Sequence, residues 1–117
     1  TDPGLDFTLS AKHDVVPIVS AINRFAYTPL MAWGTAFREC IKLKYDVETT
    51  GDIEQKYRLK VWCTEGEGTN AEWCKRGAND AVEYMESVNS NMDDLKNSYD
   101  FEWLINYFTT KYGEVND

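Results

Sequence analysis

Hydrophobic and polar residues alternate most regularly between residues 39 and 63. Ile41, Leu43, Tyr45 and Val47 alternate with Lys42, Lys44, Asp46 and Glu48, a Thr-Thr-Gly-Asp turn follows, and Tyr57, Leu59, Val61 and Cys63 then alternate with Lys56, Arg58, Lys60 and Trp62. A period of two places successive side chains on opposite faces of a strand, so this pattern predicts an antiparallel β-hairpin with one apolar and one polar face. Setting Val47 opposite Tyr57 brings Asp46 to Arg58 and Glu48 to Lys56, and leaves residues 50–54 as the loop.

The flanking segments follow a helical period instead. Residues 1–13 are rich in turn formers and read as an arm or a short edge strand. From Asp14 a helix is predicted, capped by that aspartate, with Pro17 in its first turn and Val15, Ile18, Val19, Ile22, Phe25 and Ala26 on one face. Thr28 and Pro29 interrupt it and restart a short helix, Pro-Leu-Met-Ala-Trp-Gly-Thr-Ala-Phe, in which Gly34 marks a weakness or an end. Thr69 and Glu72 have the spacing of a capping box, so a third helix starts near Asn70, with Trp73, Cys74, Gly77, Ala78, Ala81, Met85 and Val88 as its apolar stripe. After an acidic turn at Asp93 and Asp94, a last helix over 100–112 puts Phe101, Leu104, Ile105, Phe108 and Tyr112 on its core face and stops at Gly113. This order predicts an α+β fold: a small two-layer sandwich in which the hairpin packs against four or so helices, as one domain over 1–117. Two strands make a thin sheet, so an N-terminal strand or a homodimer is expected to complete it.

Composition narrows the class. Of 117 residues, 43% are hydrophobic and 14% aromatic, enough apolar surface for one core, and the longest uncharged run, 15–23, is too short and polar to span a bilayer. The net charge of −8 is unevenly spread: residues 1–37 carry −1, 38–62 carry +1 and 63–117 carry −8. An acidic C-terminal half repels phosphate backbones, which makes nucleic acid and anionic membranes poor partners.

The candidate chemistry is sparse. Cys40, Cys63 and Cys74 are an odd set. A Cys63–Cys74 disulfide would close a short loop and contribute on the order of 2–3 kcal/mol, the alternative being three reduced thiols. No close cysteine pair accompanies the single His13, so no metal site is expected, and no glycine cluster suggests a nucleotide or other cofactor. By strand parity Cys40 lies on the polar face beside Arg38 and Lys42, a setting that would lower a thiol pKa, with a plain surface thiol or a disulfide partner the favoured alternative. His13 beside Asp14 has no nucleophile at a motif position to serve. The acidic pairs Glu65 with Glu67 and Asp93 with Asp94 match no Ca²⁺ loop, and Lys75-Arg76 has the dibasic form that secretory convertases cut, inside a predicted helix.

One constellation remains. Lys42, Lys44, Lys56, Arg58 and Lys60, with Trp62, project from the polar face of the hairpin and gather five of the twelve basic residues. Such a patch suits an acidic protein partner, unless it guards the sheet against aggregation or is covered by the chain's own acidic helices. The expected function is a small non-enzymatic binding protein, a secreted effector or toxin-like factor acting by protein–protein recognition. The alternatives are an intracellular, cytoplasmic inhibitor, immunity or phage accessory protein, and a small enzyme or ligand carrier with a pocket lined by Trp33, Tyr45, Tyr57, Trp73, Tyr84 and Trp103.

Overall fold

The computed structural model describes Val15, residues 28–89 and residues 91–115. Among these there is no strand, so the expected α+β sandwich gives way to an all-helical fold. Helix α1 spans Pro29–Thr50, α2 Ile53–Thr64, α3 Thr69–Ser87 and α4 Met92–Leu95; a 3₁₀ turn over Lys96–Tyr99 leads into α5, Phe101–Tyr112. The N-terminal arm, His13 and the first predicted helix lie outside the described residues, except for Val15, which is helical and buried.

Local sequence explains each boundary. The Thr28 hydroxyl accepts from the Met31 N–H and Pro29 occupies the first turn, where its missing N–H costs nothing. The helix then runs 22 residues, through Gly34 and the whole predicted first strand. The supposed hairpin turn is a stop followed at once by a start. Gly51 takes φ 70° and returns its N–H to the Val47 carbonyl, and Asp52 Oδ1 accepts from the N–H groups of Glu54 and Gln55 at 2.9 and 3.2 Å.

The physical reason the hairpin fails is that its alternation is also compatible with a helix. Ile41 with Tyr45 and Leu43 with Val47 are four residues apart and share a helical face, as do Lys44 with Glu48 and Glu54 with Arg58, which form ion pairs at 3.3 and 2.9 Å. The longer-range phase decides. Ala32, Trp33, Ala36, Phe37, Cys40, Ile41 and Leu43 are buried with the three-and-four spacing of a helix. Leu, Lys, Glu and Arg in this stretch are strong helix formers.

Helix α3 begins at Thr69, close to the expected start, but Gly68 stands at its N-cap and the capping-box bond is not made. Its predicted stripe holds: Trp73, Cys74, Gly77, Ala78, Ala81 and Met85 are buried, and Val88 half-buried. Asp100 Oδ1 caps α5 by accepting from Glu102 and Trp103, and Gly113 ends it, as the sequence predicts. Phe101, expected in the core, is instead exposed, whereas Leu104 and Phe108 are buried.

The core forms where α1 lies against α3. Small residues on both helices let the backbones approach so closely that a Cβ on Gly77 would sit 2.2 Å from the Trp33 carbonyl oxygen. Trp33 and Phe37 are fully buried, each contributing on the order of 2–3 kcal/mol, and stack at 4.7 Å. Helix α5 docks through long aromatic side chains: Phe108 meets Trp33 and Trp73 at 5.3 and 5.4 Å, and Tyr107 meets Phe37 at 5.3 Å.

The three cysteines stand on three successive helices and none is bridged, which overturns the expected Cys63–Cys74 disulfide. The thiols do not stand at bonding distance. The Cys74 thiol points at α1, donating to the Ala32 carbonyl at 3.5 Å, while Cys63 sits half-buried in the last turn of α2.

Candidate functional site

The hairpin face on which the basic patch was read is absent, and its residues stand on two helices, α1 and α2. Lys42 is exposed on α1, but Lys44, two positions on, turns toward α3 and pairs with Glu48 and Glu86 at 3.3 and 3.8 Å. Lys56 and Lys60 are exposed on α2, Arg58 binds Glu54, and Trp62 is only 3% exposed, inside the core instead of beside the cations. Helical geometry rotates neighbours by about 100° where strand parity alternates them by 180°, so strand parity no longer places these side chains on one face. Cys40 is likewise not a surface thiol: burial, then the neighbouring Cys63, Glu39 and Cys74, push its pKa well above the ordinary value. Lys75-Arg76 lies inside α3, where the Arg76 guanidinium covers the Trp73 ring at 4.4 Å.

Lys42 joins a different surface. Four large hydrophobic residues are exposed among the described residues, and three of them, Met31, Tyr99 and Phe101 at 50, 51 and 60% exposure, lie where α1 meets the 3₁₀ turn and the first turn of α5. Two hollows indent this face. One, of about 150 Å³, is bounded by Met31, Thr35, Arg38, Phe101 and Leu104; the other, of about 170 Å³, by Ile41, Lys42, Tyr45, Leu95, Lys96 and Tyr99. Arg38 ties them together by donating to the Tyr99 carbonyl at 3.2 Å, while its Nε–H has no acceptor among the described residues. The Tyr99 hydroxyl is pushed above its usual pKa by burial and by Glu39 and Asp46, so it stays a donor at neutral pH.

A second concavity lies between α3 and α5. It is an open groove of about 520 Å³ lined by Glu83, Trp103, Asn106, Tyr107, Thr110 and Lys111. Behind it sits a buried carboxylate. Asp80, 5% exposed, accepts from the Trp33 indole N–H at 2.9 Å, from Lys111 Nζ at 2.7 Å and from the Tyr112 hydroxyl at 2.5 Å. All three donors serve the ionised acid, which is how a buried charge is tolerated. The hydrogen bond to Asp80 raises the Lys111 pKa against the opposing effect of burial; Tyr112 is raised by burial and by the same carboxylate. Both groups keep their protons near neutrality, so the network locks α5 to the α1–α3 pair. It offers no base.

No cluster of three His, Cys, Asp or Glu side chains suited to a metal occurs among the described residues. None of the helices described is long and apolar enough to cross a membrane. The aromatic pocket expected from the sequence is dispersed: Trp33 and Trp73 are core rings, Tyr45 borders the hollow of about 170 Å³, and only Trp103 of the set reaches the large groove. Sequence reasoning missed Tyr99 and Asp80. The second carried a signal, because a carboxylate amid the buried small residues of α3 and a buried indole N–H each need a partner.

No protein family, curated protein or solved structure matches the chain.

Proposed function

We propose that this chain is a non-enzymatic protein-binding module that engages its partner through the face shared by α1, the 3₁₀ turn and the start of α5. One observation carries the reading: three of the four large hydrophobics exposed among the described residues gather on that face, around Arg38. Met, Tyr, Phe and Arg are the residue types enriched in interface centres. The partner that fits is a protein segment that seats apolar side chains in the two hollows and brings carbonyl or carboxylate oxygens to Arg38, Lys42 and Lys96. Of the two compartments considered, the reducing one suits three unbridged cysteines better, which favours an intracellular inhibitor or accessory role over a secreted effector.

The test is site-specific photo-crosslinking. A photoreactive residue at Met31 or Phe101 should capture one dominant protein, whereas the same residue at exposed Lys56 on α2 should not. With that partner purified, Met31→Ser and Phe101→Ser should each weaken binding by about tenfold or more. Melting should barely move, since exposed substitutions change stability by about half a kcal/mol or less. Equal capture at all three positions would sink the proposal. Capture of a second copy of the chain, with self-association in sedimentation, would replace the foreign partner by a homodimer.

A further inference from the structure

The groove between α3 and α5 is lined by other residues than the face just described, and the geometry points to a ligand for it: a neutral carbohydrate. Trp103, Asn106, Tyr107 and Thr110 follow the i, i+3, i+4, i+7 spacing of one helical stripe, so ring, amide, ring and hydroxyl line one side of the groove, with Glu83 of α3 opposite. The rings of Trp103 and Tyr107 stand 5.4 Å apart at 31° to each other, and both are half-buried. An aromatic face is the negative end of a quadrupole, which the weakly positive C–H bonds on the apolar face of a sugar ring can meet.

The polar groups make the case more specific. Asn106 and Thr110 are exposed, and neither side chain makes a hydrogen bond among the described residues; nor does the Tyr107 hydroxyl, which burial, against the opposing pull of Lys111, holds protonated. The groove therefore presents an amide, two hydroxyls and the Glu83 carboxylate, donors and acceptors of the mixed kind that a polyol satisfies. Charge argues against an anionic ligand. Lys111 is held between Asp80 at 2.7 Å and Glu83 at 3.7 Å, so its ammonium is already matched and an incoming anion would meet two carboxylates. The volume, about 520 Å³, falls within the range of small-molecule sites, and the open shape suits a segment of a longer chain more than an enclosed metabolite.

The experiment is a screen of the full chain against neutral and charged oligosaccharides, followed by an NMR titration with the best neutral binder, reading the indole resonance of Trp103. A neutral sugar should bind with a Kd of about 1 mM or tighter and shift that resonance. Asn106→Ala combined with Thr110→Ala should weaken it by about tenfold while the melting temperature holds, because neither side chain has a hydrogen-bond partner among the described residues. Trp103→Phe, which keeps a ring against Phe37 and Tyr84, should weaken binding too. Met31→Ser leaves the groove intact and should bind the sugar normally, so failure here and failure of the protein-binding face are read separately. Absence of any neutral binder, preference for anionic sugars, or indifference to the Asn106/Thr110 pair would each overturn the assignment.

Discussion

Replacing Gly77 by alanine tests the fold at its tightest point. In a helix interior, glycine to alanine ordinarily stabilises by about 1 kcal/mol, because alanine has less backbone freedom to lose. At Gly77 the new methyl carbon would lie 2.2 Å from the Trp33 carbonyl oxygen and 3.0 Å from its carbon, both backbone atoms that no rotamer change can move. Helices α1 and α3 must separate along their main contact, an overpacking cost at or above the usual range of about 1–3 kcal/mol. The net effect is a loss of about 2 kcal/mol, or roughly 8 °C in Tm for a domain of this size. Gly34 supplies the internal control. It lies in α1, and a Cβ there meets nothing within 4 Å, so Gly34→Ala should gain up to about 1 kcal/mol. Thermal and urea unfolding followed by far-UV circular dichroism read both variants. If Gly77→Ala melts at or above the parent, the close α1–α3 approach is wrong, and with it the position of Trp33.

The Asp80 network predicts a stability loss of about 2–3 kcal/mol for Asp80→Asn, because the amide cannot accept from all three donors and turns a donor of its own toward them. Lys111 and Tyr112 both have folded-state pKa values raised above their unfolded ones, so their contribution is complete below about pH 10 and is lost as pH rises through the folded values. Unfolding measured from pH 8 to 11 should show that alkaline decline, and Tyr112→Phe should flatten it; an unchanged slope would separate Tyr112 from Asp80. For the thiols, alkylation of the unfolded chain without reductant should label all three cysteines, and alkylation of the native protein should label half-buried Cys63 ahead of Cys40 and Cys74. A recovered Cys63–Cys74 peptide would contradict the structure.

What the sequence made legible depended on the length of each pattern. The α3 stripe runs from Trp73 to Met85, and only a helix explains so long a spacing of small and apolar residues, so its existence and face were readable. Asp100 and Gly113 bounded α5 in the same way. The segment 39–63 misled because four alternations fit both periods, and Gly51-Asp52 reads equally as a hairpin loop or as a C-cap followed by an N-cap. Extending the window back to Ala32 would have fixed the helical phase. Trp62 followed the same error, since strand parity assigned it to the solvent and helical rotation buries it. The candidate face was hidden for another reason. Met31, Arg38 and Tyr99 are separated by up to 68 positions and meet only through the docking of the 3₁₀ turn, and Phe101 was spent on a core that Leu104 and Phe108 already fill.

Helix α5 carries Phe101 at its first turn and most of the groove residues along its outer stripe, and it is held by ring contacts, buried Leu104 and one carboxylate. A short element attached in this way is a natural unit of local opening, with a free energy below that of global unfolding. One such event would dismantle both surfaces together. Anything that binds either surface selects the docked population, and by thermodynamic linkage it must tighten binding at the other by the same factor, without any change in the average structure. The strength of such coupling would be set by how often α5 lifts away, so loosening its anchor at Asp80 should change both occupancies together.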